Sequence, residues 1–255
     1  MVTNLTDNGT AHPLGARPRN AILAQLPAEE YETLARHLVE VDLPLNKALS
    51  EPNEPIEYIY FVNRGLISTD AMTRSGESVE VGLIGREGFS GLPALMGQPQ
   101  MSHSVVVQGE GSGLRIRSGV VRELFLRGGV FHTLTLNFTY LQMTQIAQSV
   151  LCNRLHTVDQ RLARWLLASA DRSETSSLNL THEFLAQMLG VQRSTVTVAA
   201  GDMQRQELIG YSRGKIQLLD RPRLERTACE CYGIVGAAYD RVLQYDADKM
   251  LLYVG

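Results

Sequence analysis

Cysteine is scarce in this chain: Cys152, Cys229 and Cys231 are the only three thiols in 255 residues, too few for a disulfide framework at that length. No signal-peptide pattern opens the sequence and no apolar run reaches membrane length, so the expected setting is a reducing cytoplasm, with no membrane partner. Strong net charge is missing too. A formal −3 at pH 7 excludes a surface that clings to nucleic acid everywhere and confines any DNA footprint to a local patch. No Ser/His/Asp or Cys/His grouping sits at a recognisable motif, and there is no phosphate loop, so an enzyme is not expected. Cys229-Glu-Cys231 raises the question of a metal, but no further Cys or His follows closely enough to complete four ligands. The expectation is no metal, and two buried or half-buried thiols on one helix.

At 28.2 kDa and 44% hydrophobic content the chain is long enough for two domains with cores of their own. The most informative stretch runs from Leu180 to Val198, where apolar residues recur at helical spacing, stop at Gly190 and resume on a second register. Phe184, Leu185, Met188 and Leu189 make one apolar face, Thr181 can cap the helix, and Glu183 suits its positive first turn. Gly190 supplies the corner. Val191 and Val196 pin a second helix, leaving Gln192, Arg193, Ser194, Thr195 and Thr197 at its outward start, with side chains that reach base edges and phosphates. A helix hairpin with a glycine corner also occurs in bundles that bind nothing, but here Leu208–Leu219 follows as two short strands around Ser212-Arg213-Gly214-Lys215, a hairpin with two cations at its tip. Helix, corner, helix and basic-tipped hairpin together predict a winged helix-turn-helix that reads DNA.

Ahead of it, residues 1–18 lack an apolar period and are expected to form a mobile arm. Asn20–Leu43 fits short helices, with Pro27 opening the second. Short β-rich runs then follow at Ile56–Val62, Gly65–Thr69, Ser78–Leu83, His103–Gln108 and Gly113–Ile116, separated by turn-like segments such as Asn63-Arg64 and Gly109-Glu110-Gly111-Ser112. They predict a compact antiparallel roll or barrel. After a short helix over 120–127, residues 130–156 contain no Pro or Gly. Leu134, Phe138, Leu141, Gln145, Gln148, Cys152 and Leu155 form a heptad-like seam, and Leu136, Tyr140, Met143, Ala147 and Val150 a second stripe. One face would pack on the roll and the other needs a partner, which a two-fold dimer supplies. Residues 171–179 are expected to be a surface loop, and 224–255 a helical extension that pads the reading domain or covers part of the roll.

Tyr58-Ile-Tyr-Phe-Val-Asn-Arg-Gly-Leu-Ile-Ser and Gly76-Glu-Ser-Val-Glu-Val-Gly-Leu-Ile-Gly-Arg-Glu-Gly-Phe-Ser-Gly resemble the β-roll of the superfamily of the cyclic-AMP receptor protein and the fumarate-nitrate regulator (Crp/Fnr). Arg154-Leu-His-Thr-Val-Asp-Gln-Arg-Leu-Ala-Arg-Trp-Leu-Leu resembles its hinge and DNA-binding half. The resemblance covers roughly residues 20–223 in the expected order. It implies an α+β chain made of an N-terminal antiparallel β-roll sensor (19–129), a long dimerisation and coupling helix (130–156), and a C-terminal winged helix-turn-helix (157–223). It also implies a homodimeric transcription regulator with double-stranded DNA as partner, and admits RNA polymerase as another.

In that family a Glu takes the ribose hydroxyls of a cyclic nucleotide and an Arg-Ser pair takes the phosphate. Here Gly91 stands where the Glu would be, and His103 precedes Ser104 where the Arg would be. Without the carboxylate and the bidentate cation, cyclic AMP is not the expected effector. Any effector contacts are assigned to Phe89, Gly91, Leu92, His103 and Ser104, although a lone histidine at a strand start is more often structural. No resident cofactor is expected: residues 1–151 hold no cysteine for an iron–sulfur cluster, and axial haem ligands are not assignable. Arg193 matches the family's guanine-reading arginine. Ser194 and Val198 fall where many members carry Glu and a second cation, and Val198 suits a thymine methyl. Arg213 and Lys215 are assigned to phosphates. The competing reading is a cyclic-nucleotide-binding-like regulatory or scaffold protein that uses the helix hairpin for protein contacts.

Overall fold

A computed structural model of the chain describes residues 9–13 and 17–244. Residues 1–8 and 14–16 of the expected arm, and 245–255 of the extension, lie outside them. In chain order the elements are β1 (Thr10–Ala11), α1 (Ala21–Ala24), α2 (Ala28–Ala35), β2 (Val39–Leu43), β3 (Ala48–Ser50), β4 (Tyr58–Met72), β5 (Ser78–Ile84), α3 (Leu92–Leu95), β6 (His103–Arg117), α4 (Ser118–Leu126), α5 (Gly129–Leu155), α6 (Val158–Ser173), β7 (Ser177–Asn179), α7 (His182–Leu189), α8 (Arg193–Arg205), β8 (Ile209–Ser212), β9 (Lys215–Leu218), α9 (Arg221–Thr227) and α10 (Cys231–Leu243). The chain is α+β, with an antiparallel N-terminal sheet, a long helix and a C-terminal helix-turn-helix.

The roll differs from the sequence expectation in its punctuation. Asn63-Arg64 and Gly109–Ser112 are not turns. They lie inside two 15-residue strands, β4 and β6, which pair antiparallel from Tyr58↔Arg117 to Ala71↔His103 with register shifts between Val62 and Ile67. The shifts are bulges that bend one long ribbon, so residues with turn propensity mark a kink rather than a reversal. The sheet runs β1-β2-β6-β4-β5, with β3 on β6. Part of the expected arm is thus a strand: Thr10 and Ala11 pair with Glu40 and Val39, and buried His12 meets Glu40 Oε1 and the Tyr31 hydroxyl, each at 2.9 Å.

The roll core closes on α5 through an aromatic group. The Phe89 ring lies 5.1 Å from Phe61, 5.0 Å from Phe138 and 6.5 Å from Phe131, and all four are fully buried. Truncating one such ring costs about 3–5 kcal/mol. The first turn of α5 has no side-chain cap of its own. Instead the Glu30 carboxylate accepts from the amides of Val130 (2.9 Å) and Phe131 (2.7 Å), a negative group at the positive end of the helix.

This packing reassigns the heptad-like seam. Leu134, Phe138, Leu141, Gln145 and Cys152 are buried within the chain, Gln148 is half-buried, and only Leu155 stands out in solvent. The seam therefore belongs to the chain's own core, because the roll takes its first half and α10 lies along α5 and fills the rest: Val235, Ala238 and Val242 join the roll core. The extension thus covers the roll and the long helix. The outward face of α5 is the second stripe, continued by Ile146: Leu136, Tyr140, Met143, Ile146 and Val150 are all exposed.

The C-terminal half has a separate core around Trp165, Leu185, Val196, Ile209 and Ile216. Its segment 171–179 is not a loop throughout: α6 runs to Ser173, and β7 adds a third strand to the wing by pairing with β9. The two halves dock through polar groups. Trp165 donates its indole N–H to the Glu80 carboxylate (3.0 Å). Buried Arg172 lies 3.3 Å from the fully buried Glu87 carboxylate, bonds Gln145 of α5 (3.2 Å) and stacks over Tyr239 of α10. Desolvation pushes the Glu87 carboxyl upward against the opposing pull of Arg172, so the pair is held in place at a cost in hydration.

Candidate nucleic-acid interface

The reading surface is built by local rules. Thr181 caps α7, its hydroxyl accepting from the Phe184 amide at 3.1 Å. Gly190 ends the helix in the left-handed region at φ +61°, where a side chain would be strained. α8 starts at Arg193 with Gln192 in the capping position and no side-chain cap, so Ser194 lies within the helix and does not take over the cap. Val196, Ala199, Ala200 and Met203 are buried and fix the roll of α8 about its axis, while Gln192, Arg193, Ser194, Thr195, Thr197 and Val198 are exposed together at its start.

Two neighbours not singled out in the sequence complete the surface. His182 stacks on Tyr211 of the wing, with ring centroids 4.3 Å apart, and its Nδ1 is 3.0 Å from the Thr197 hydroxyl. That hydroxyl also donates to the Arg193 carbonyl (3.0 Å). Thr197 is therefore engaged as a brace between α7 and α8 rather than held free for a base. Burial, helped by the charge of Arg193, lowers the His182 pKa, which favours the neutral ring. Arg193 is exposed and rests 3.8 Å from Glu183, a loose surface pair of little energy that a stronger anion can displace. In the wing, Arg213 and Gly214 both have positive φ (48° and 77°), the geometry of a tight type I′ hairpin. Exposed Arg213 and Lys215 sit at its tip.

The effector residues do not gather in the same way. Phe89 is locked in the aromatic core. Ser104 is buried, and its hydroxyl donates to the Asp70 carbonyl inside the sheet at 3.4 Å. His103 is half-buried at the start of β6, 3.4 Å from the Ser102 hydroxyl. Gly91 precedes α3 at φ +85°, and a Cβ there would meet Ile59 Cδ1 at 2.7 Å and Ile56 Cγ2 at 3.0 Å, so no larger residue fits without movement. Leu92 opens α3 and is half-buried. A cleft of about 590 Å³ lies elsewhere, between the halves, lined by Arg64, Gln108, Trp165, Ser169, Thr175 and Asn179 among others.

The expectation about the thiols is overturned. Cys229 lies before α10 and only Cys231 is in it, and both meet Cys152 and His156 from the end of α5. The three sulfurs and a ring nitrogen all lie within 4.8 Å of one another. Sequence spacing hid this group because Cys152 and Cys229 are 77 positions apart.

Comparison with known proteins agrees with this architecture. Residues 40–127 match the model of the cyclic nucleotide-binding domain, and residues 160–227 that of the Crp-like helix-turn-helix domain. The chain is similar to the transcriptional regulator SdrP of Thermus thermophilus, with 28% identity over 177 residues that cover 68% of this chain and 85% of the relative. It is also similar to the global nitrogen regulator of a Nostoc species, with 24% identity over 183 residues that cover 67% and 81%. The solved structure of FixK2 from Bradyrhizobium japonicum superposes with a TM-score of 0.63 at 17% identity, over 75% of this chain and 98% of that one. With a sheet domain, a long helix and a winged reading head in the family's order, and both family models matched in place, the chain belongs to the Crp/Fnr superfamily of transcription regulators.

Proposed function

We propose that the chain acts as a homodimer that reads a palindromic DNA site with two copies of α8. The observation that carries this reading is the joint exposure of Gln192, Arg193, Ser194, Thr195 and Val198 on a helix fixed by its buried face, beside a wing tipped with Arg213 and Lys215. Arg193 is the base reader, bidentate to guanine, with Thr197 and His182 bracing the turn that presents it. Dimerisation falls to the exposed stripe Leu136, Tyr140, Met143, Ile146 and Val150, an apolar face that a second copy of α5 would cover. Two heads so joined would meet half-sites about one helical turn apart, roughly 34 Å.

Control is exerted through the roll by an effector other than cyclic AMP. The crowding around Gly91 and the engaged hydroxyl of Ser104 support that part of the reading. The cleft beside Trp165 is the better place for a small molecule to bias the docking of the halves. RNA polymerase is the natural further partner of such a regulator.

The test is selection from pooled random duplexes followed by binding at several salt concentrations. A palindrome should be enriched, and Arg193→Ala should relax guanine preference at one position per half-site, by about 1–3 kcal/mol. An Arg193→Ala protein that keeps the parent's selectivity would remove Arg193 from the reading role.

A further inference from the structure

All three cysteines of the chain converge on one point with one of its six histidines. Cys152 and His156 come from the last turn and cap of α5, Cys229 from the link between α9 and α10, and Cys231 from the first position of α10. Cys152, Cys229 and Cys231 are buried, and the His156 side chain is 11% exposed. Four soft donors drawn from two distant parts of the chain into a shielded pocket are not explained by packing alone, since a buried thiol needs no histidine beside it.

The distances match a single ion. A tetrahedral centre with metal–sulfur bonds of about 2.3 Å places its donor atoms about 3.8 Å apart. Cys152 Sγ lies 3.5 Å from Cys229 Sγ, Cys231 Sγ lies 3.7 Å from His156 Nδ1, and no pair among the four exceeds 4.8 Å. The thiolates of an iron–sulfur cluster have to stand farther apart to surround several irons. A Cys152–Cys229 disulfide would use one pair and leave Cys231 and His156 without a role.

The surroundings are those of a ligand set. With Nδ1 turned to the sulfurs, His156 Nε2 lies 3.3 Å from the Glu230 carboxylate, the outer partner that fixes the tautomer and orientation of a metal-bound imidazole. Cys231 opens a 13-residue helix, where the helix dipole favours a thiolate. The positive charges of Arg161 and Arg164 act on the same thiols and offset the excess negative charge of three thiolates on a divalent cation.

We propose that Cys152, His156, Cys229 and Cys231 form a structural Cys3His site for a single tetrahedral divalent cation of the zinc class. Such an ion would staple the C-terminal extension to the junction of α5 and α6. Arg161, which bonds Asn153 (2.6 Å) and the Leu189 carbonyl at the end of α7, carries that junction to the helix-turn-helix. Any effect of metal loading on DNA affinity rests on the proposed function above, whereas the site itself does not.

The test uses the full chain, purified without an affinity metal under reducing conditions, loaded with zinc or cobalt and dialysed. Zinc should be retained at about one ion per chain. Cobalt should give thiolate charge-transfer absorption and the intense visible bands of tetrahedral geometry. Cys152→Ser and Cys229→Ser should lose both signatures, His156→Cys should keep the ion with added thiolate intensity, and Glu230→Gln should weaken affinity about 10- to 100-fold. The proposal is overturned if the folded parent protein, its thiols reduced, retains no stoichiometric zinc and gives no tetrahedral cobalt spectrum. It is equally overturned if protein isolated without reductant holds a Cys152–Cys229 disulfide that blocks loading only until reduced and still binds no ion afterwards, or if the isolated protein contains iron with acid-labile sulfide. Because the parent alone decides these outcomes, a variant that fails to fold does not shelter the idea.

Discussion

Replacing Glu80 by Gln should stabilise the protein at mildly alkaline pH, and Trp165, the only tryptophan, reports the result directly. Glu80 sits where β5 meets α6, with Trp165, Asp70, Arg164 and Gln108 facing it. Burial is the main reason that its pKa rises from 4.5 to about 8, with repulsion from Asp70 adding to it and the Trp165 bond, Arg164 and Gln108 opposing it. In the docked state the carboxyl is neutral near pH 7, and its oxygen still accepts the indole N–H. Once the halves separate and water returns, the group reverts to an ordinary acid.

Between 4.5 and about 8 the docked form therefore holds a proton that the open form has lost, and stability falls as pH rises, by at most about 1.4 kcal/mol per unit. Below that window the contribution is complete, and above it nothing further is lost. The total reaches about 5 kcal/mol, an upper bound because partial opening lets water reach the carboxylate first. Urea unfolding followed by Trp165 emission across this range should show a parent midpoint that declines with pH more steeply than that of Glu80→Gln, the two proteins nearly matching at the acid end. Parallel curves, or a variant less stable than the parent at pH 8, would refute the reasoning.

Removing the cation from the buried Arg172–Glu87 pair should cost more than removing a surface pair. Arg172→Met leaves the carboxylate uncompensated, with an expected loss of about 3–5 kcal/mol in unfolding free energy, recovered in large part by adding Glu87→Gln, as a double-mutant cycle by denaturation would show. Met143→Glu places a charge in the middle of the exposed α5 stripe and should shift the protein towards monomer in sedimentation without lowering its unfolding midpoint, since Met143 is 65% exposed. The Arg213→Ala, Lys215→Ala double variant should weaken binding to all duplexes alike and lower the salt slope of log K by about 2. An unchanged slope would take the wing tip off the phosphates.

What could be read from the sequence was local. The cap at Thr181, the corner at Gly190 and the positive-φ pair at Arg213-Gly214 are decided within a few residues, and the helix-turn-helix and wing follow from them. Asn63-Arg64 and Gly109–Ser112 misled because a bulge and a turn draw on the same residue types, and only the partner strand decides between them. On α5 both stripes are apolar. Periodicity finds the faces but does not say which one the roll and α10 will take, so the Leu134–Cys152 seam was assigned to a partner when it belongs inside. The thiol cluster was the least visible, because it depends on α10 folding back across α5.

The anchoring of the α5 N-terminus has a consequence for engineering. Glu30 lies 100 positions before the amide it holds at Val130, so the start of the longest rod in the molecule is set by the small helical hairpin ahead of the roll. A chimaera that exchanged sensor modules between relatives by cutting just before the roll would leave that rod without its foothold. Ala28–Ala35 would have to travel with the rod's first turn as one cassette, although nothing in the linear order suggests that the two belong together.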